Sequence, residues 1–194
     1  MNIHRRMHGA GLAALAALIV LAAQGTWAQE DLRSVVPTEV PGVVNASKTS
    51  DGKVYFGGQP TQESVDALKK NGVKVVINLR RAEEMEKVDF DEKNAVEAAG
   101  MKYVNVPMES TGLPTAESLK PLLVTLGDAK DAPVFLHCGS SNRVGGVWAL
   151  YEGTQGGKSA DDAIAEGKKA GLKTPALEKD VRTRLENASE DSGK

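Results

Sequence analysis

The chain holds a single cysteine, Cys138, among its 194 residues. One thiol excludes an internal disulfide, so no covalent cross-link within the chain supports this fold. Histidine is almost as scarce. Two of the three, His4 and His8, stand near the N-terminus, leaving His137 alone in the body. A zinc site takes several nitrogen and sulfur ligands, so this inventory excludes a convincing one, and neither metal nor cofactor is expected. A basic cluster is also missing. The formal net charge of -2 argues against nucleic acid as the main partner. No internal repeat and no low-complexity block interrupts the chain.

The ends read differently from the middle. His4, Arg5, Arg6 and His8 make a basic start, and Gly9 to Ala23 form an alanine- and leucine-rich run. That run is short for a membrane span, which takes about 20 residues. Thr26-Trp27-Ala28 then offers small residues at a cleavage position before Gln29. Residues 1–28 are therefore expected to be an export signal, with a periplasmic protein and no stable membrane insertion after cleavage. Removing them takes away two positive charges (Arg5, Arg6) and no acidic one, which moves the formal charge from -2 to -4. Residues 29–52 lack clear periodicity and read as a leader segment. Residues 186–194 are polar and charged, the composition of a disordered tail.

Between these ends, residues 53–185 suit one domain. Val54-Tyr55-Phe56 predicts a short strand. Thr61 is placed to cap a helix carrying Val65 and Leu68, stopped by Gly72. Val73 to Leu79 reads as a buried strand, and a charged helix then ends at Gly100. Tyr103 to Val106 is a further strand, followed by a helix from Thr115 with Leu119, Leu122, Leu123 and Leu126 at helical spacing. Pro133 to His137 is the last strand. Helices follow from Val147, from Ser159 and from Pro175. Strands separated by helices predict an α/β fold in three layers, with ligands bound beyond the C-terminal ends of the strands.

Cys138 lies at such an end. It is followed by Gly139-Ser140-Ser141-Asn142-Arg143 and then by a predicted helix. A lone cysteine is often only a small buried hydrophobe. This one faces an arginine, a helix N-terminus and a run of backbone N–H groups, each of which favours a thiolate and attracts an anion. That is the setting of a nucleophile acting on a group attached to phosphate or sulfur.

The segments Val54 to Thr61, Gly72 to Arg80 and His137 to Arg143 resemble the bacterial dual-specificity-phosphatase-like family, related to cysteine-dependent tyrosine phosphatases. The subgroup found in beta-lactamase-hydrolase-like proteins is the nearer likeness. The resemblance implies a three-layer cysteine-phosphatase-like fold with a mainly parallel central sheet flanked by helices. It implies that Cys138 forms a transient phosphocysteine and that Arg143 clamps two phosphate oxygens. The amides of Gly139, Ser140, Ser141 and Asn142 would cradle the remaining oxygens, with His137 supporting the loop. Glu109, on the loop after the preceding strand, would be the general acid, where relatives usually have aspartate. Asp89 and Asp91 are weaker candidates for that role. The implied partner is a phosphorylated small molecule or phosphoprotein.

Three features depart from the pattern. Four residues separate Cys138 from Arg143 where the wider superfamily has five, and four is also the spacing of rhodanese-like sulfurtransferases, whose cysteine carries a persulfide. Val144 stands where a hydroxyl residue assists hydrolysis of the phosphocysteine, a task left to Ser140 or Ser141. Ser141 replaces a glycine common in relatives. A sulfurtransferase and a non-catalytic anion-binding module therefore stay open beside the phosphatase.

Overall fold

The computed structural model describes residues 33–130 and 132–192. The expected export signal lies outside the described residues. Among the described residues no helix is long and apolar enough to cross a membrane.

Six strands form one mixed sheet: β1 (Val35–Pro37), β2 (Ser47–Thr49), β3 (Val54–Gly57), β4 (Val75–Asn78), β5 (Lys102–Asn105) and β6 (Val134–His137). Their spatial order is β1-β2-β3-β6-β4-β5. The first two pairings, β1 with β2 and β2 with β3, are antiparallel. The other three, β3 with β6, β6 with β4 and β4 with β5, are parallel. The sheet is thus mainly parallel, as expected, and β6 runs through its middle.

Every residue of β3, β4 and β6 is buried, as parallel strands covered on both faces must be. Alternation still sorts their side chains. Phe56, Ile77 and Leu136 enter one core with Leu119, Leu122, Trp148 and Leu177. Tyr55, Val76 and Phe135 enter the other with Val65, Leu68 and Val96. Helices α1 (Gln62–Lys70) and α3 (Glu92–Ala98) supply the second core. Helices α4 (Ala116–Gly127), α5 (Asn142–Thr154), α6 (Ala160–Lys169) and α7 (Pro175–Ser192) line the first. The short α2 (Ala82–Met85) buries nothing.

The helix starts follow the sequence signals. Thr61 precedes α1, and its N–H donates to Ser64 Oγ at 2.9 Å. Thr115 and Ser159 accept from the N–H groups of Ser118 and Asp162 at the heads of α4 and α6. Trp148 and Tyr151 are core residues, stacked on each other with centroids 5.2 Å apart.

Three expectations shift. Residues read as a leader supply β1 and β2. Their polar Ser47 and Thr49 are buried, and Thr49 Oγ1 accepts from the N–H groups of Lys53 and Val54 to turn the chain into β3. Strands of three residues show no alternation to read, so the pairing is visible only in three dimensions. Residues 186–192, read as tail, continue α7. The charged helix before Gly100 is two helices, with Asp91 capping the second through Asn94 N–H at 3.0 Å.

Helices α5 and α6 approach closely through small residues. A Cβ on Gly145 would lie 2.2 Å from Leu172 N and 2.3 Å from Gly167 O, both backbone atoms that cannot move cheaply. Gly145→Ala is expected to cost about 1–3 kcal/mol through overpacking, lowering the melting temperature by several degrees. A melting curve superimposable on wild type would show that the two helices separate without penalty.

Candidate active site

Four parallel strands end on the same edge of the sheet, so the loops after β3, β4, β5 and β6 converge. The loop after the central β6 carries Cys138, which is 1% exposed. Its N–H donates to Gly57 O at 3.3 Å, and Leu79 N–H donates to His137 O at 2.9 Å. The nucleophile candidate is therefore held between the ends of β3 and β4.

From there the chain turns sharply into α5. Ser141 is the pivot, with a φ of 72° in the left-handed region, a conformation that favours glycine and that this serine adopts at a cost. Its hydroxyl donates to Ala170 O at 2.7 Å, and its side chain packs where a Cβ on Gly171 would collide. The loop carbonyls are occupied from outside: Gly139 O accepts from Gln59 N–H at 3.3 Å, and Ser140 O accepts from Asn45 Nδ2 at 3.2 Å. With its carbonyls turned outward, the loop can aim N–H groups inward, the arrangement that binds an anion.

Arg143, on the first turn of α5, returns toward the thiol and is 6% exposed. Its Nη1 donates to Glu84 Oε2 at 2.7 Å, to Met108 O at 3.0 Å and to Leu79 O at 3.3 Å. Its Nη2 donates to Glu84 Oε1 at 2.7 Å. One edge of the guanidinium is thus fixed to α2 and two loops. Burial opposes its charge, but the Glu84 hydrogen bonds and the neighbouring Cys138 outweigh this and raise the arginine above its usual value. The same hydrogen bonds, against the cost of burial, lower Glu84 to about 2.

Glu109 lies on the loop between β5 and α4, and its neighbours in sequence both touch the cysteine loop. Met108 O meets Arg143, and Ser110 O accepts from Asn142 Nδ2 at 3.2 Å. The far end of this loop is tied to α7, where Asp180 accepts from Leu113 N–H at 2.7 Å. The Glu109 side chain itself is exposed, and both its oxygens accept from Arg81 Nη1, at 2.8 and 2.9 Å. So the structure brings the Glu109 backbone to the rim of the site and pairs its carboxylate with Arg81. Asp91 is occupied as the cap of α3, and Asp89 is exposed between α2 and α3.

Ser141 cannot take over from the hydroxyl missing at Val144, because its own hydroxyl is donated to Ala170; Val144 is wholly buried in α5. Ser140 is the exposed hydroxyl that remains on the loop. Arg80 is braced inward, with Nη1 to Gln59 Oε1 at 2.6 Å and Nη2 to Glu84 O at 2.8 Å.

Sequence reasoning missed Glu84 and Glu92. Both sit in a run of acidic residues that reads as a solvated face, and nothing in the spacing separates Glu84 from the exposed Glu83. The one available signal was physical: a buried arginine beside an anion site requires a carboxylate partner.

Comparison with known proteins gives this geometry its family. No curated protein matches the chain. Among solved structures, the DUF442 phosphatase of Shewanella putrefaciens CN-32 is 24% identical, with a TM-score of 0.61 over 75% of this chain and 93% of that one. TpbA of Pseudomonas aeruginosa, in complex with phosphotyrosine, is 19% identical, with a TM-score of 0.63 over 84% and 94%. PTPMT1 in complex with PI(5)P is 18% identical, with a TM-score of 0.61 over 73% and 96%. The three share the fold. Residues 32–183 match the model of the family described as DSP-PTPase phosphatase fused to NAD+ kinase. The chain belongs to that family through its phosphatase portion, and it is a cysteine-type phosphatase that hydrolyses phosphate esters.

Proposed function

We propose that this protein is an exported phosphatase that cleaves phosphate monoesters through a phosphocysteine on Cys138. The observation that carries the reading is the placement of Arg143. Glu84 and two carbonyls occupy one side of the guanidinium, and the cation stands against the cysteine within the turn that ends in α5. Arginine offers a planar fork that matches two phosphate oxygens, and fixing it in advance removes the cost of ordering it on binding.

In the first step the Cys138 thiolate attacks phosphorus. The S–P bond forms, the bond to the leaving oxygen breaks, and that oxygen takes a proton from Glu109. For this Glu109 must leave Arg81 and arrive protonated. In the second step water attacks phosphorus and gives its proton to Glu109, the S–P bond breaks, and inorganic phosphate leaves with the thiolate restored. The loop amides of Gly139 to Asn142 stabilise the equatorial oxygens throughout. The substrate class, a phosphorylated small molecule or phosphoprotein, is consistent with the phosphotyrosine and PI(5)P bound by the structural neighbours.

The reading is tested by p-nitrophenyl phosphate with the reduced protein. Release of p-nitrophenol that iodoacetamide stops, and that inorganic phosphate protects from iodoacetamide, is the expected result. Folded, reduced protein with no turnover would sink it. Export is tested by N-terminal sequencing of the protein recovered from the periplasm, which should begin at Gln29; an intact Met1 would refute cleavage.

A further inference from the structure

Beneath the cysteine loop runs a line of polar side chains that the chemistry above leaves unused. Glu92, the first residue of α3, has a side chain only 1% exposed, and that of His137 at the end of β6 is 0% exposed. Glu92 Oε1 lies 2.6 Å from His137 Nε2; neither atom has another partner among the described residues, and the ring's buried Nδ1 has none. The other oxygen, Oε2, accepts from Gln59 Nε2 at 2.7 Å. Gln59 in turn takes Arg80 on its Oε1 and donates its own N–H to Gly139 O. The His137 ring is stacked on Phe135, 5.3 Å between centroids and 7° from parallel, so it has little freedom to turn.

A carboxylate taken out of water is costly unless a cation or a set of donors meets it. One Glu92 oxygen meets an amide. The other meets only the imidazole, whose next residue is the nucleophile. The other charged or titratable groups around this line are Arg143 with Glu84, Arg80 behind Gln59, and Tyr103, whose phenol accepts from Asn78 Nδ2 at 2.8 Å. None of them reaches Oε1.

We propose that Glu92 is a positioning residue: it holds His137 in the cationic form at the strand end that leads into Cys138, which favours the thiolate, and through Gln59 it fixes the Gly139 carbonyl outward. The proposal rests on Cys138 being the reactive thiol. It does not require turnover of a phosphate ester.

The test is the pH dependence of Cys138 alkylation by iodoacetamide in the reduced full chain, over about pH 4 to 9, a range that brackets a thiol with an altered midpoint. Wild type is compared with Glu92→Gln, His137→Gln and the double variant. Glu92→Gln should move the alkylation midpoint up by about one unit, because the thiolate loses a nearby cation. The double variant should shift no further than His137→Gln alone, since Glu92 acts through the ring. A midpoint that falls, as simple loss of a negative charge would produce, or one that stays in place overturns the proposal. If Glu92→Gln does not melt cooperatively, the 15N spectrum of histidine in the wild-type chain at neutral pH decides, with His137→Gln identifying the resonance. Two protonated ring nitrogens support the proposal and a neutral ring refutes it. A shifted midpoint without p-nitrophenyl phosphate turnover would leave this role standing while the phosphatase reading fails.

Discussion

Cys138→Ser is expected to reduce hydrolysis of p-nitrophenyl phosphate by about 10⁴-fold or more while leaving the protein folded. The size of the loss follows from ionisation. A thiolate is a strong nucleophile, whereas a serine hydroxyl remains protonated and is a weak one. The site holds no compensating arrangement. The Ser141 hydroxyl is bonded to Ala170 O, and the His137 ring is committed to Glu92, so neither is free to act as base toward a new hydroxyl. The substitution is nearly isosteric at a position 1% exposed, so the melting temperature should change by only a few degrees. Binding of inorganic phosphate should survive, because Arg143 and the loop amides are untouched. The measurements are the rate, the melt and phosphate affinity on one preparation. Retention of more than a few per cent of the activity would remove Cys138 from the role of nucleophile.

Arg143→Lys should lower kcat/KM by about 10²–10³-fold, the scale seen when one pre-aligned contact to a transition-state oxyanion is lost. Keeping the positive charge is not enough. The guanidinium spans two carboxylate oxygens of Glu84 and the carbonyls of Leu79 and Met108 while still facing the thiol. A lysine ammonium is a single point with three donors, and it cannot meet Glu84 and an incoming phosphate together. The variant should also lose stability. Leu79 O and Met108 O give up a donor in a buried place, at a cost of about 1–3 kcal/mol. Met108 is one residue from Glu109, so the loop that carries the acid candidate should loosen as well. Urea unfolding and steady-state kinetics check both halves. Activity within about tenfold of wild type would mean that charge alone serves, and that the fork geometry has no part in the reaction.

These two expectations differ in what they draw upon. The first could be written from the sequence, because a cysteine at the end of an apolar strand, followed by small residues and an arginine, already describes the proposed nucleophile. The second depends on Glu84. That residue lies 59 positions before Arg143 in an acidic run, and it meets the guanidinium only because β6 inserts between β3 and β4. Glu109 shows the same division. Its loop was legible from the strand order, but its pairing with Arg81 was not, and under the proposed mechanism Glu109 gives up that pairing before it donates a proton.

What the sequence by itself determined is whatever local pattern specifies. It set the buried central strands, the caps at Thr61, Thr115 and Ser159, the stop at Gly72, and the cysteine turn with its arginine. Each depends on residues within a few positions of one another, where hydrophobic period, side-chain capping and left-handed backbone preference act directly. Tertiary structure alone decided that Val35–Pro37 and Ser47–Thr49 join the sheet, that Ser141 turns its hydroxyl away from the site, and that Glu92 is buried and Glu84 half-buried against Arg143 while Glu83 is exposed. The physical reason is the same in each case. A carboxylate or hydroxyl takes its role from the partner that meets it when water is removed, and those partners arrive from distant segments only when the sheet is assembled.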